Sequence, residues 1–293
     1  MGFNVGDVIE DRYEILEEIG TGGHGTVFRA EDRDLASPVA IKVLHDHIAE
    51  DDVFVRRMKR EARVMGQLSG TSAVQVMAVH RTAAGGMYLV MEYLEGRDLG
   101  RHLWQWEKRD EQIPTAELLE LLEPIATTLE AAHVRKIIHR DLKLANIYVL
   151  AHAARGRVRL LDFGLAKDLK MSALTQPGTV TGSPAYIAPE AWRGKPELVD
   201  HRVDVYGLGV VLYRALAKRF PFEPNRPLAE IVTEVMTKPR PRLTAARPDL
   251  PVEIDQWAER ALAIKAEDRF QSVQAMWFVL RGILAGGPAP DHP

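Results

Sequence analysis

His139-Arg140-Asp141-Leu142-Lys143-Leu144-Ala145-Asn146 is the stretch whose reading decides the fold, and Asp162-Phe163-Gly164 follows it sixteen residues after Asn146. Within 24 residues the chain sets down a candidate base, a cation and two hard oxygen donors. A positioned carboxylate such as Asp141 contributes about 10²- to 10⁴-fold as a general base. Asn146 and Asp162 are the ligand types Mg²⁺ accepts, and Lys143 can neutralise charge on a phosphoryl group in transfer. An eight-position string with this many specified chemistries, completed by a partner at fixed distance, does not arise by chance.

Upstream, Gly20-Thr21-Gly22-Gly23-His24-Gly25-Thr26-Val27 has the GxGxxGxV spacing, in which glycines let backbone N–H groups approach a phosphate. Alone the string is weak, because dinucleotide-binding folds use a related one. Those folds need a helix directly after the glycines, whereas here Val27, Phe28 and Ala30 lead into a second strand. Lys42 stands in the apolar run Val39-Ala40-Ile41-Lys42-Val43-Leu44. An ammonium on such a strand needs an anion nearby, and Glu61, on a predicted helix with Met58 and Met65, is the candidate. The bland alternative is two exposed charges.

Composition sets outer bounds. The 293 residues are long enough for a sizeable core, 46% are hydrophobic and 27% charged, and the net charge is −3. That balance gives no reason to expect nucleic acid or an anionic membrane as partner. The basic cluster Arg56, Arg57, Lys59, Arg60 and Arg63 reads as a solvated helix face. With no cysteine, disulfides and thiol catalysis are excluded. Acidic residues crowd the first twenty positions and no apolar run reaches ~18 residues, so neither a secretory leader nor a membrane span is expected, and the protein is expected to be cytoplasmic.

Periodicity divides the chain. Tyr13 to Ile19, Thr26 to Ala30, Val39 to Leu44, Val74 to His80 and Met87 to Met91 read as strands, with a helix from Asp52 to Leu68. From Thr115 helices dominate: one long helix carries Pro124, where a kink is allowed. Asp204 to Ala217 is apolar on nearly every face and is expected to be buried. Three more helices are marked by Ile231/Val235, Ile254/Trp257/Ala261 and Val273/Trp277/Leu280.

Together the glycine string, Lys42, the 139–146 loop, Asp162-Phe163-Gly164 and Ala188-Pro189-Glu190 resemble the protein kinases, most of all the bacterial eukaryotic-like Ser/Thr kinases. The resemblance covers about residues 10 to 284. It implies an α+β, bilobal fold with a small antiparallel lobe (10–91), a connection (92–96), a larger helical lobe (97–285), a cleft between them and a flexible tail (286–293). It also implies ATP and Mg²⁺ as cofactors and Ser/Thr-bearing proteins as substrates. Asp141, Lys143, Lys42 and Glu61 would be catalytic, and Asn146 and Asp162 would bind metal. Gly20, Gly22, Gly23, Gly25, Val27, Ala40, Lys42, Met91, Glu92, Leu94 and Asp98 would bind nucleotide, with Tyr148 on the floor of the adenine pocket.

The segment from Gly164 to Glu190 resembles an activation loop. Thr179, then Thr181 and Thr175, would be its phosphosites, and Arg140 and Lys167 would form the phosphate pocket. Ser183 would bridge Asp141 and Lys143. His139 would pack on Phe163, Asp204 would hold the catalytic loop, and Arg269 would pair with Glu190. Departures from the pattern are Gly207 for a common serine, Ala266 for a frequent proline, and Gly70-Thr71-Ser72-Ala73 for His-Pro-Asn. A homodimer through the small lobe, and an origin as a stand-alone kinase or an excised domain, stay open. The competing readings are a pseudokinase scaffold, disfavoured by the complete residue set, and a small-molecule phosphotransferase, disfavoured by Ala188-Pro189-Glu190 and Lys143.

Overall fold

In the computed structural model residues 3–22, 25–45, 55–56, 59, 62–63, 65–82, 86–152, 156–163 and 184–286 are described. The chain divides into two compact units, Met1–Glu95 and Gly96–Pro293. The α+β division expected from the sequence is present, strands dominating the first unit and helices the second.

The first unit is built on six strands: β1 (Val8–Ile9), β2 (Tyr13–Gly22), β3 (Gly25–Asp32), β4 (Ser37–Leu44), β5 (Val76–Arg81) and β6 (Met87–Glu92). They form one antiparallel sheet in the order β1-β2-β3-β4-β6-β5. One face is the core: Tyr13, Ile15, Phe28, Ala30, Val39, Ile41, Val43, Tyr88 and Val90 cluster there, all buried. These are alternate residues, as the two-residue period of a strand requires. The register pairs Val27 with Lys42, Arg29 with Ala40 and Ala40 with Met91. Directly opposed residues share a face, so Val27, Arg29, Ala40, Lys42 and Met91 stand together on the face away from that core. The described residues between 55 and 66 are helical, and Val55, Met65 and Leu68 are buried, in keeping with the expected amphipathic helix.

The second unit holds six α-helices among its described residues: α1 (Leu99–Glu107), α2 (Thr115–Val134), α3 (Arg202–Ala217), α4 (Leu228–Thr237), α5 (Glu253–Ala261) and α6 (Val273–Leu284). α2 runs through Pro124 without a break, and Thr128 Oγ1 donates to the Pro124 carbonyl at 2.7 Å. α3 is the buried hub that its all-round apolar sequence predicted, with every residue but Arg202 and Arg214 buried. Its glycines are where neighbours come closest: a Cβ on Gly207 would lie 3.1 Å from Leu142 Cβ, and one on Gly209 would lie 3.2 Å from Ala261 Cβ.

Periodicity did not foresee a three-stranded antiparallel sheet, β7 (Gly96–Asp98), β8 (Ile147–Leu150) and β9 (Val158–Leu160). The strands are three or four residues long, too short for a two-residue alternation to register. Within the expected connection over 92–96, Glu92 completes β6 and Gly96 opens β7, with Tyr93, Leu94 and Glu95 between the strands. α1 was likewise missed.

Candidate active site

The sheet β7-β8-β9 explains how two separated ligand candidates meet. β8 and β9 pair antiparallel with Ile147 opposite Leu160, and Leu161 N donates to the Asn146 carbonyl at 2.8 Å. Asn146 just before β8 and Asp162 just after β9 therefore sit at the same end of one hairpin. The Asn146 amide donates from Nδ2 to the Asp141 carbonyl at 2.7 Å and to Asp141 Oδ2 at 3.2 Å. With the nitrogen so committed, Oδ1 is the atom left for a hard cation. Among the described residues no three His, Cys, Asp or Glu side chains cluster as a metal cage. An Asn oxygen with one carboxylate is the sparse donor set that suits Mg²⁺ shared with phosphate oxygens.

Asp141 is held from several sides. Lys143 Nζ donates to its Oδ2 at 2.9 Å, beside the Asn146 contact. Asp141 N donates to His139 Nδ1 at 3.2 Å, and His139 Nε2 lies 2.9 Å from the Leu161 carbonyl. The two ring nitrogens thus join the loop at 141 to the strand end at 161. One must accept and the other donate, which only neutral imidazole can do. Burial agrees: His139 is fully buried and its pKa is pushed below the ordinary 6.5, the carboxylates of Asp204, Asp141 and Asp162 opposing this only in part. The ring packs against Phe163 at 4.8 Å between centroids, as expected.

Beneath the loop, Asp204 of α3 accepts from His139 N at 2.7 Å, Arg140 N at 2.8 Å and His133 Nε2 at 2.8 Å. Burial alone would raise this carboxyl, but the hydrogen bond and charge of His133, with the His139 contacts, hold it below the usual range. Arg140 and Asp162 take left-handed backbone, φ +62° and +49°. Such residues are sparsely populated outside glycine and collect at functional sites. The role of His133 was not foreseen. Its signal was a histidine in the last turn of the long helix expected from Thr115. Further off, Arg269 forms the expected fork with Glu190 at 2.6 and 2.7 Å, its side chain fully buried. Its other donors reach the Ala263, Arg202 and Ile264 carbonyls.

In the first unit the expected nucleotide residues fall on two features. Val27, Ala40, Lys42 and Met91 share the non-core face. Gly20 and Gly22 belong to the hairpin arm in which Gly22 opposes Gly25. A Cβ on Gly25, at φ +158°, would lie 2.0 Å from the Val43 carbonyl, so only glycine fits. At Gly20 and Gly22 an added Cβ would meet nothing within 4 Å, and packing does not demand glycine there. Glu92 N donates to the Gln75 carbonyl at 3.0 Å, and the Glu92 side chain accepts from Gln75 N at 2.9 Å. Leu94 lies in the three residues between β6 and β7. In the second unit Asp98 is the N-cap of α1, accepting from Arg101 N at 2.9 Å, and Tyr148 pairs with it across β7 and β8. Gly23, Glu61, Lys167, Thr175, Thr179, Thr181 and Ser183 lie outside the described residues.

The chain matches the protein kinase domain family over residues 13–277. A probable serine/threonine-protein kinase PknB of Lactococcus lactis is 33% identical over 273 residues, covering 93% of this chain and 42% of that protein. The serine/threonine-protein kinase pkn3 of Myxococcus xanthus is 32% identical over 286 residues, covering 95% and 51%. The crystal structure of the Mycobacterium tuberculosis PknI kinase domain superposes with a TM-score of 0.74 at 28% identity, over 97% of this chain and all of that one. The chain spans about two fifths to one half of the curated relatives it matches. Loop, hairpin and these likenesses agree: the chain belongs to the protein kinase family.

Proposed function

We propose that this chain is the catalytic domain of a serine/threonine protein kinase, moving the γ-phosphoryl group of ATP onto Ser and Thr hydroxyls of proteins. The observation that carries this reading is the arrangement of Lys143 and Asn146 on one oxygen of Asp141, at 2.9 and 3.2 Å. Two donors fix the direction of the carboxylate, which would receive the proton of an attacking hydroxyl. Lys143 beside it brings positive charge to the phosphoryl group in transfer, which is where such reactions gain most. Asn146 Oδ1 and the Asp162 carboxylate would hold Mg²⁺, which supplies neutralisation of phosphate charge when bound.

In the first unit Lys42 would bind phosphate oxygens, with Glu61 as its partner. Gly20, Gly22 and Gly23 would offer backbone N–H groups, and Val27, Ala40 and Met91 would cover the base. The space beside Gly20 and Gly22 supports this, since among the described residues no atom comes within 4 Å of a Cβ placed there. Asp98, which caps α1 through one oxygen and lies 3.4 Å from Arg101 Nε through the other, would bind a ribose hydroxyl. Thr179, Thr181 or Thr175 would take phosphate by autophosphorylation and dock on Arg140 and Lys167. The enzyme would work in the cytoplasm, and pairing of copies through the first unit belongs to the same reading. No described helix is long and apolar enough to cross a membrane.

The test is incubation of the purified chain with Mg-ATP and a generic basic protein, followed by mass spectrometry. Phosphate is expected on the protein and on a loop threonine, and Asp141→Asn is expected to lose both. A wild type that transfers nothing, or an Asp141→Asn variant that keeps full transfer, ends the reading.

A further inference from the structure

We propose that Arg214 is a positioning residue for the protein substrate, holding Tyr186 through the ring of Phe220; this deepens the kinase reading and rests on it. Arg214 lies on α3, where every residue but Arg202 and itself is buried. Its guanidinium forms a two-bond fork with Glu107 at the end of α1. Nη1 donates to Oε1 at 2.5 Å and Nη2 to Oε2 at 3.0 Å. The two side chains are 17% and 22% exposed, so the fork is only partly screened by water. A planar guanidinium bonded twice to one carboxylate is fixed in direction. Just beyond the same two helices Lys218 lies 3.7 Å from Asp110, so their fastening does not rest on Arg214 alone.

What the fork aims is the cation itself. Arg214 Cζ lies 5.7 Å from the centroid of the Phe220 ring, within cation–π range. Phe220 belongs to the stretch between α3 and α4, in neither helix, so its ring is placed by what it touches. It meets Tyr186 edge to face, with centroids 5.4 Å apart and planes at 89°. Burial pushes the Tyr186 phenol up to about 12; a hydrogen bond with the Leu144 backbone and the charge of Arg214 oppose the rise, and Asp98 adds to it. Leu144 follows Lys143, whose ammonium holds Asp141. Contacts therefore run from Glu107 through Arg214, Phe220 and Tyr186 to the loop that carries the proposed base. Tyr186 closes the turn Pro184–Tyr186 and leads into Ala188-Pro189-Glu190. A polypeptide that brings a hydroxyl to Asp141 must lay its neighbouring residues on backbone adjoining that loop, and this turn is such backbone. None of the five residues in the chain of contacts is among those proposed to bind nucleotide.

The experiment measures steady-state kinetics of the full chain on the generic basic protein, varying ATP and protein in turn, beside urea unfolding of each variant. Arg214→Met and Phe220→Leu are each expected to raise KM for the protein roughly 2- to 10-fold, the span of an edge-on aromatic pair, with KM for ATP unchanged. The double variant should lose little more than the larger single loss, because both changes act on one ring. Arg214→Lys, which keeps a cation, should recover part of the loss. Phe220→Leu leaves the fork with Glu107 intact, so it carries the test even where Arg214→Met does not fold. An unchanged KM for the protein in Phe220→Leu overturns the proposal, as do additive losses in the double variant. A lower stability in Arg214→Met with its KM for the protein unchanged assigns the fork to folding alone and overturns it as well. So does a shift of kcat and both KM values together. A wild type that transfers no phosphate ends the kinase reading and this one together. A wild type that transfers it while Phe220→Leu matches it in every constant ends this one alone.

Discussion

The first unit sets Val27, Ala40, Lys42 and Met91 on one face by strand register, while the second unit hangs His139 and Arg140, and through His139 the loop at Asp141, from a single buried carboxylate, Asp204. Register is carried by many backbone hydrogen bonds, so no one side chain decides it. The loop has irregular backbone, and its N–H groups would be unpaired in a dry interior without Asp204. Side chains at the first site are thus expendable for folding, whereas the second site is built into the core that supports it.

Variants can break this contrast, and all five tryptophans, Trp104, Trp106, Trp192, Trp257 and Trp277, lie in the second unit, so indole emission during urea unfolding reports that unit. The largest effect is expected from Arg269→Ala, which strands the Glu190 charge in a buried site and should cost about 3–5 kcal/mol. Asp204→Ala leaves three donors without an acceptor and should cost about 2–4 kcal/mol, with phosphotransfer falling in step. A loss below about 1 kcal/mol in either would erase the contrast.

A smaller effect concerns pH. His139 titrates lower in the folded chain than its ordinary 6.5, so as pH falls the unfolded chain binds the proton first. The stability this group contributes is complete above about 6.5 and is lost as pH falls below it. His102, half-buried and shifted the same way, adds to the total. Urea titrations of wild type and His139→Phe at pH 7.5 and 5.5 separate them: the variant should show the smaller pH dependence. The smallest stability change, within about 0.5 kcal/mol, is expected for Lys42→Met, measured by circular dichroism. That variant should nonetheless lose turnover. Unchanged turnover would remove Lys42 from the site, and a collapsed fold would show that register alone does not hold the first unit.

Much of this was legible beforehand where local periodicity is long. The strands of the first unit and the buried α3 follow from alternation and from an all-round apolar run. The glycine string was read correctly as leading into a second strand, because Val27, Phe28 and Ala30 continue as strand rather than helix. Legibility failed for β7, β8 and β9: Gly96-Arg97-Asp98 carries no pattern that distinguishes a strand from a loop. Yet that sheet is what puts Asn146 and Asp162 at one hairpin end.

The chemistry of the groups at 42, 141, 143, 146 and 162 was determined by the amino-acid sequence, because acid strength class, charge and ligand type belong to side chains wherever they sit. Their directions, and the charge states of the Asp204 and His139 beneath them, were decided only by tertiary structure. Asp204 meets His139 across 65 residues and Glu190 meets Arg269 across 79. A carboxylate stays ionised in a buried place, and an imidazole stays neutral, only when partners that distant have been brought within hydrogen-bond reach and water has been excluded.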